Sequence, residues 1–158
     1  MRAGPINYRL RVNGDVENIV AEPGETLIQV LREQLDLTGS KIGCAQGVCG
    51  TCTVLLDGRP ARGCLVLAAD CTDREIVTIE GLATDGALSS VQAAFVETGA
   101  IQCGFCTAGM ILTVTALLRR NPGPSEEEIR VGISGNLCRC SGYAKIVEAA
   151  MRASGSKA

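Results

Sequence analysis

Residues 43–64 read GCAQGVCGTCTVLLDGRPARGC, and they place Cys44, Cys49, Cys52 and Cys64 in the spacing C-x4-C-x2-C-x11-C. Three clustered thiols with a distant fourth is the pattern that holds a plant-type [2Fe–2S] cluster, two thiolates on each iron. A cluster carrying negative charge needs backbone N–H groups aimed at its sulfurs. Gly43, Gly47 and Gly50 let the chain wrap that closely, because glycine accepts positive φ and carries no Cβ. Thr51 to Leu56 reads as a strand closed by the turn Asp57-Gly58, so that Cys64 returns on a hairpin as the fourth ligand. A four-cysteine zinc site is the competing reading. Zinc ribbons favour two C-x2-C knuckles, however, and only Cys49 and Cys52 make one. Disulfides are a weaker alternative.

Working upstream, Ile6, Tyr8, Leu10 and Val12 alternate with Asn7, Arg9 and Arg11, the pattern of a half-buried strand. Asn13-Gly14 is a hairpin turn signal, with Val16 to Ala21 as the return strand. Pro23-Gly24-Glu25 breaks the strand, and Thr26 caps a helix whose apolar stripe is Leu27, Val30, Leu31 and Leu35. Gly39 is expected to end that helix. Downstream, Glu75 to Ile79 reads as another strand. Past Gly81 the strand signals stop. Ser89 or Ser90 caps a helix carrying Val91, Ala94 and Phe95. Thr107 to Arg120 forms a second, stopped by Asn121-Pro122. Ser125 and Glu128 form a capping box for a third. Tyr143 to Ala153 forms a fourth, followed by a polar, frayed tail over residues 154–158. The chain therefore divides near residues 80–88, into a β-rich domain over 1–80 and a helical domain over 85–158.

The helical part carries a second set, Cys103, Cys106, Cys138 and Cys140, spaced C-x2-C-x31-C-x-C. Cys103 and Cys106 open the second helix, where the positive end of the helix dipole favours thiolate. Cys138 and Cys140 lie in the turn before the last helix. Two inter-helix turns meeting at one end of the helices would make a four-thiolate cage. A thioredoxin-like pair would need a βαβ setting that is missing here. Zinc can take the same four ligands. The ninth cysteine, Cys71, fits neither spacing and reads as a small buried residue.

Composition narrows the function further. A net charge of −2 gives no basic footprint for nucleic acid. No run of 18 apolar residues exists, so no transmembrane segment is expected. The first ten residues lack the apolar stretch of a secretory signal. Dense cysteines in a reducing cytoplasm point to metal or redox chemistry rather than disulfides. The chain has no histidine and no nucleotide-binding glycine pattern, and nothing in it resembles a general acid–base pair. Asp70, Asp73 and Glu75 read as solvated. Glu126 to Glu128 read as an acidic helix start.

Four stretches taken together resemble one known family. They are residues 37–44 (LTGSKIGC), 49–58 (CGTCTVLLDG), 102–110 (QCGFCTAGM) and 135–143 (GNLCRCSGY). In this order they are similar to the small iron–sulfur subunit of the molybdenum hydroxylases, which include xanthine dehydrogenase, aldehyde oxidoreductase and carbon monoxide dehydrogenase. The resemblance spans roughly residues 6 to 152. It implies an α+β fold, with an N-terminal plant-ferredoxin-like β-grasp domain followed by a C-terminal four-helix bundle. It implies two [2Fe–2S] clusters, held by Cys44, Cys49, Cys52 and Cys64 and by Cys103, Cys106, Cys138 and Cys140. It places Gln102 and Cys140 against a molybdopterin, molybdenum's cofactor, on a large partner subunit. A medium subunit would carry FAD, in a dimer of heterotrimers. Electrons would run from molybdenum to the second cluster, then to the first, then to flavin. The substrate site would lie on another chain.

Two positions depart from the family pattern: Ala108 stands where proline is usual, and Ser141 where threonine is. A proline at the first helical position presets φ, so Ala108 is expected to loosen that start. Ser141 keeps the hydroxyl. Residues 107–110 look more like the flavin-containing three-subunit enzymes than the two-subunit ones. The alternatives are a free-standing ferredoxin-type carrier and a zinc-stabilised interaction protein. The helical half with its own cysteines argues against the first.

Overall fold

A computed structural model describes residues 4–155; the expectations for residues 1–3 and for tail residues 156–158 lie outside the described residues. The N-terminal hairpin forms as its sequence dictates. β1 (Ile6–Val12) pairs antiparallel with β2 (Asp15–Ala21), with Val12 opposite Asp15. Asn13 and Gly14 both take positive φ, the requirement of the two-residue turn that matches strand twist. Leu10, Val12, Ile19 and Ala21 point inward. β3 (Thr53–Leu56) and β4 (Arg59–Arg62) form a second hairpin, and β5 (Glu75–Val77) joins the two. The order is β2-β1-β5-β3-β4; β1 and β5 run parallel, and the β1–β2, β3–β4 and β3–β5 pairs run antiparallel.

α1 (Leu27–Glu33) lies on this sheet, and Leu27, Val30 and Leu31 share a core with Leu10, Val54, Leu56 and Ile76. Its capping box is Thr26 with Gln29. The helix stops well before Gly39, at a Gln34 cap, and Asp36 rather than a glycine takes the positive φ that turns the chain. β4 carried no strand signal because Arg59-Pro60-Ala61-Arg62 is an exposed edge. There proline is tolerated and no apolar alternation is needed.

Four helices follow: α2 (Ser90–Glu97), α3 (Thr107–Arg120), α4 (Glu126–Ile133) and α5 (Ala144–Ala153). Ser89 and Ser125 cap α2 and α4 through reciprocal bonds with Gln92 and Glu128. Phe95, Met110, Val114, Ile129, Ile133 and Ile146 fill a second core. α3 is buried nearly all round because it serves two neighbours. One side packs among the other helices, and the opposite side crosses β3 and β4. The mixed sheet and the helices make an α+β fold. The connection between the halves is tied down: Asn13 exchanges hydrogen bonds with Thr78, and Glu80 accepts from the Gly39 amide. Among the described residues no helix is long and apolar enough to cross a membrane.

Candidate metal centres

The loop that carries Cys44 and Cys49 is closed at its base by two bonds. The Lys41 amide donates to the Thr51 carbonyl and the Thr51 hydroxyl to the Lys41 carbonyl, both at 3.0 Å. Ala45, Gly47 and Gly50 adopt positive φ inside it. Gly43 serves differently, because its φ is ordinary and the need is space. A Cβ there would lie 2.9 Å from Thr51 Oγ1 and 3.0 Å from Cys49 Sγ. The wrapping turns amides onto sulfur. Cys49 N and Gln46 N donate to Cys44 Sγ at 3.3 and 3.4 Å. Those amides, Cys49 first, hold the Cys44 thiol at about 6. Cys52 and Cys64 are buried against Ile28 with their sulfurs 3.3 Å apart, and burial pushes Cys52 up to about 11.

At the second site Cys106 caps α3 and Cys103 stands exposed just before it. The helix starts at Thr107, so Ala108 is its second residue rather than its first, and it is buried. Cys103 is lowered, first by the Phe105 amide and then by Cys140. Cys106 departs from the helix-dipole expectation: burial, and then its neighbour Cys138, drive it to about 12. Burial also acts on Cys138, yet the Ser141 hydroxyl and amide outweigh it and bring the thiol to about 7. The Ser141 amide donates to Cys138 Sγ at 3.3 Å, and its hydroxyl lies 3.2 Å from the same sulfur. Ser141 thus retains the hydroxyl's role.

Tyr143 was expected to open the last helix. Instead it takes φ 69° just before α5 and folds its phenol back onto the loop. There its oxygen accepts from the Cys138 amide at 2.9 Å and donates to the Asn136 carbonyl. Gln102 is exposed beside Cys103, and Cys140 is exposed with its sulfur 3.4 Å from that of Cys103. A cleft of about 400 Å³ separates the two sites, walled by Cys49 and Gly43 on one side and by Cys103, Cys106 and Phe105 on the other.

Two of the sulfur pairs are in contact, Cys52 with Cys64 at 3.3 Å and Cys103 with Cys140 at 3.4 Å, and the remaining thiols act on one another in the same way, Cys49 on Cys44 and Cys138 on Cys106. A single tetrahedral zinc, with Zn–S near 2.3 Å, would draw four sulfurs to one point. Four thiolates per site, two for each iron, is the donor set of a binuclear cluster. Cys71 lies outside both sets, buried in the first core with its thiol toward the Leu67 carbonyl. Replacing it in Cys71→Ser should leave the iron content of the purified protein unchanged; loss of iron would put Cys71 among the ligands.

Residue order assigns no role to Asn136, Arg62 or Tyr143: Asn136 and Tyr143 belong to the stretch 135–143 that carries the family resemblance, and Arg62 is marked only by preceding Cys64 by two.

Known proteins resemble this chain over nearly its full length. Residues 10–79 match a 2Fe-2S iron-sulfur cluster binding domain, and residues 78–151 match a [2Fe-2S] binding domain. The chain is 51% identical to the nicotinate dehydrogenase small FeS subunit of Eubacterium barkeri, over 89% of this chain and 90% of that one. It is 48% identical to the xanthine dehydrogenase iron-sulfur-binding subunit of Escherichia coli O157:H7, covering 90% of each chain. The crystal structure of quinoline 2-oxidoreductase from Pseudomonas putida 86 superimposes with a TM-score of 0.91 at 46% identity, covering 94% of this chain and 91% of that one. Two cluster-binding units in one chain, and close identity over nearly the full length of such subunits, lead to one conclusion: the chain belongs to the small iron–sulfur subunits of the molybdenum hydroxylases.

Proposed function

We propose that this subunit carries electrons between a molybdenum centre and a flavin, one cluster at each four-cysteine site. The observation that carries the reading is that each four-cysteine set brings thiols into contact, Cys52 with Cys64 at 3.3 Å and Cys103 with Cys140 at 3.4 Å. Cys44, Cys49, Cys52 and Cys64 hold the first cluster; Cys103, Cys106, Cys138 and Cys140 hold the second. Each bound cluster supplies one-electron redox chemistry. The chain's own residues set how readily: the Cys49 and Gln46 amides stabilise charge at Cys44, and Ser141 does so at Cys138.

Exposed residues at each site support the assignment of partners. Gln102 and Cys140 present the second site to a large molybdopterin subunit, among exposed Ile101, Phe105 and Leu137. Val48 and Leu65, 61% and 62% exposed, rim the first site and face a medium FAD subunit. A free-standing carrier would gain nothing from such apolar rims at both sites. The substrate is then bound elsewhere in the complex, which we read as a cytoplasmic dimer of heterotrimers. Within the subunit, residues 1–80 act as a β-grasp ferredoxin-like domain and 85–158 as a four-helix bundle.

The order of transfer is tested in the complex with Cys44→Ser. Adding substrate should still reduce the second cluster while the flavin stays oxidised. A flavin reduced at the wild-type rate would contradict the route.

A further inference from the structure

Asn136 is 2% exposed, in the turn between α4 and α5, and every polar atom of its side chain reaches a different segment. Its Nδ2 donates to the Gly50 carbonyl at 3.1 Å and to Thr53 Oγ1 at 3.3 Å. Its Oδ1 accepts from Thr113 Oγ1 of α3 at 3.2 Å. Thr53 itself donates to the Gly50 carbonyl and receives Arg62 Nη1 at 2.7 Å, while Arg62 Nη2 donates to the Gly135 carbonyl at 2.5 Å. A polar knot thus joins the two cysteine loops between otherwise separate apolar cores. Asn136 and Thr53 at its centre are buried with their polar atoms partnered, so it specifies one arrangement, because any slip leaves a group unpaired.

Its position matters more than its strength. Gly50 lies between Cys49 and Cys52, and Asn136 lies two residues before Cys138. Beside the knot, the Leu137 amide donates to the Cys49 carbonyl at 2.9 Å. That bond joins the backbone of one cysteine of the first set to the residue adjoining Cys138. Electron tunnelling falls steeply with separation, and less steeply along bonded atoms than across a gap.

We propose that Asn136 is the positioning residue that fixes the separation of the two sites. By anchoring Gly50 it keeps the Cys49 carbonyl on the Leu137 amide, the hydrogen-bonded connection that an electron follows between them. The step moves one electron from the second site to the first; no bond is made or broken and no proton is transferred. The inference rests on the two-cluster reading above.

The test compares wild-type complex with Asn136→Asp, which keeps the shape and an acceptor for Thr113 but loses both donors. Iron content and each centre's own spin signal should be unchanged. The magnetic splitting between the reduced centres should shrink, and the Leu137 amide should exchange faster. An electron injected by a radiolytic pulse should cross several-fold more slowly, because tunnelling weakens as the separation grows. Splitting, protection and rate all at wild-type values with both clusters present would overturn the proposal. If Asn136→Asp fails to assemble, Thr113→Val decides: it removes one bond without changing size. It should move all three readouts in the same direction by less, and no movement would overturn the proposal. A wild-type complex lacking two iron–sulfur signals would instead sink the two-cluster reading itself, and the inference with it.

Discussion

Replacing Cys103 by alanine should abolish turnover of the complex with any acceptor that receives its electrons through the flavin. The reasoning starts from the pair. Cys103 and Cys140 stand with sulfurs 3.4 Å apart at the exposed face of the second site, next to Gln102. Removing one thiolate leaves an iron with an open position on the side meant to meet molybdenum, and alanine offers no oxygen to replace it. Changing an outer-shell partner of a metal site costs about 10–100-fold in affinity or activity. Loss of a direct ligand should exceed that. Half of the iron should be missing and one of two spin signals gone. The first site should keep its signal, since Cys44, Cys49, Cys52 and Cys64 belong to the other half of the fold. Full turnover with both signals retained would remove Cys103 from the ligand set.

The second large effect is expected at a position that touches no metal. Gly109 lies in the first turns of α3, and a Cβ there would press into the Gly50 carbonyl oxygen and come within 3.0 Å of Asn136 Nδ2. Two effects oppose each other in Gly109→Ala. Helix propensity favours alanine by about 1 kcal/mol. Overpacking costs about 1–3 kcal/mol. The upper part of that range applies, because the obstructing atom is backbone and cannot rotate aside. The net of roughly 2 kcal/mol against the variant corresponds to a fall in Tm of about 4–8 °C for a chain of this size. The magnetic splitting between the reduced centres should change, since Gly50 and Asn136 join the two sites. A raised Tm would mean that α3 does not press on the first cysteine loop.

Much of this was legible from residue order. Alternation and Asn13-Gly14 fix the first hairpin, and the Ser125/Glu128 box fixes the start of α4. The two four-cysteine sets stand out by spacing, and the structure brings thiols within each set into contact. What was not legible is tertiary. β4 is an exposed edge held by its partner strand rather than by its own pattern. The end of α1 depends on Asp36 accepting positive φ, which composition does not announce. Cys106 sits where the dipole should favour thiolate, yet packing desolvates it and burial prevails. Asn136 and Arg62 reach partners 86 and 73 residues away, and no local pattern encodes such a contact.

The most direct test of two clusters in one chain is iron and acid-labile sulfide per subunit, with electron paramagnetic resonance of the dithionite-reduced complex. Two [2Fe–2S] centres require about four irons and about four sulfides, with two distinguishable spin signals because one site is buried against α1 and the other opens at the α3 terminus. Zinc without sulfide, or a single spin signal with half that iron, would contradict the account.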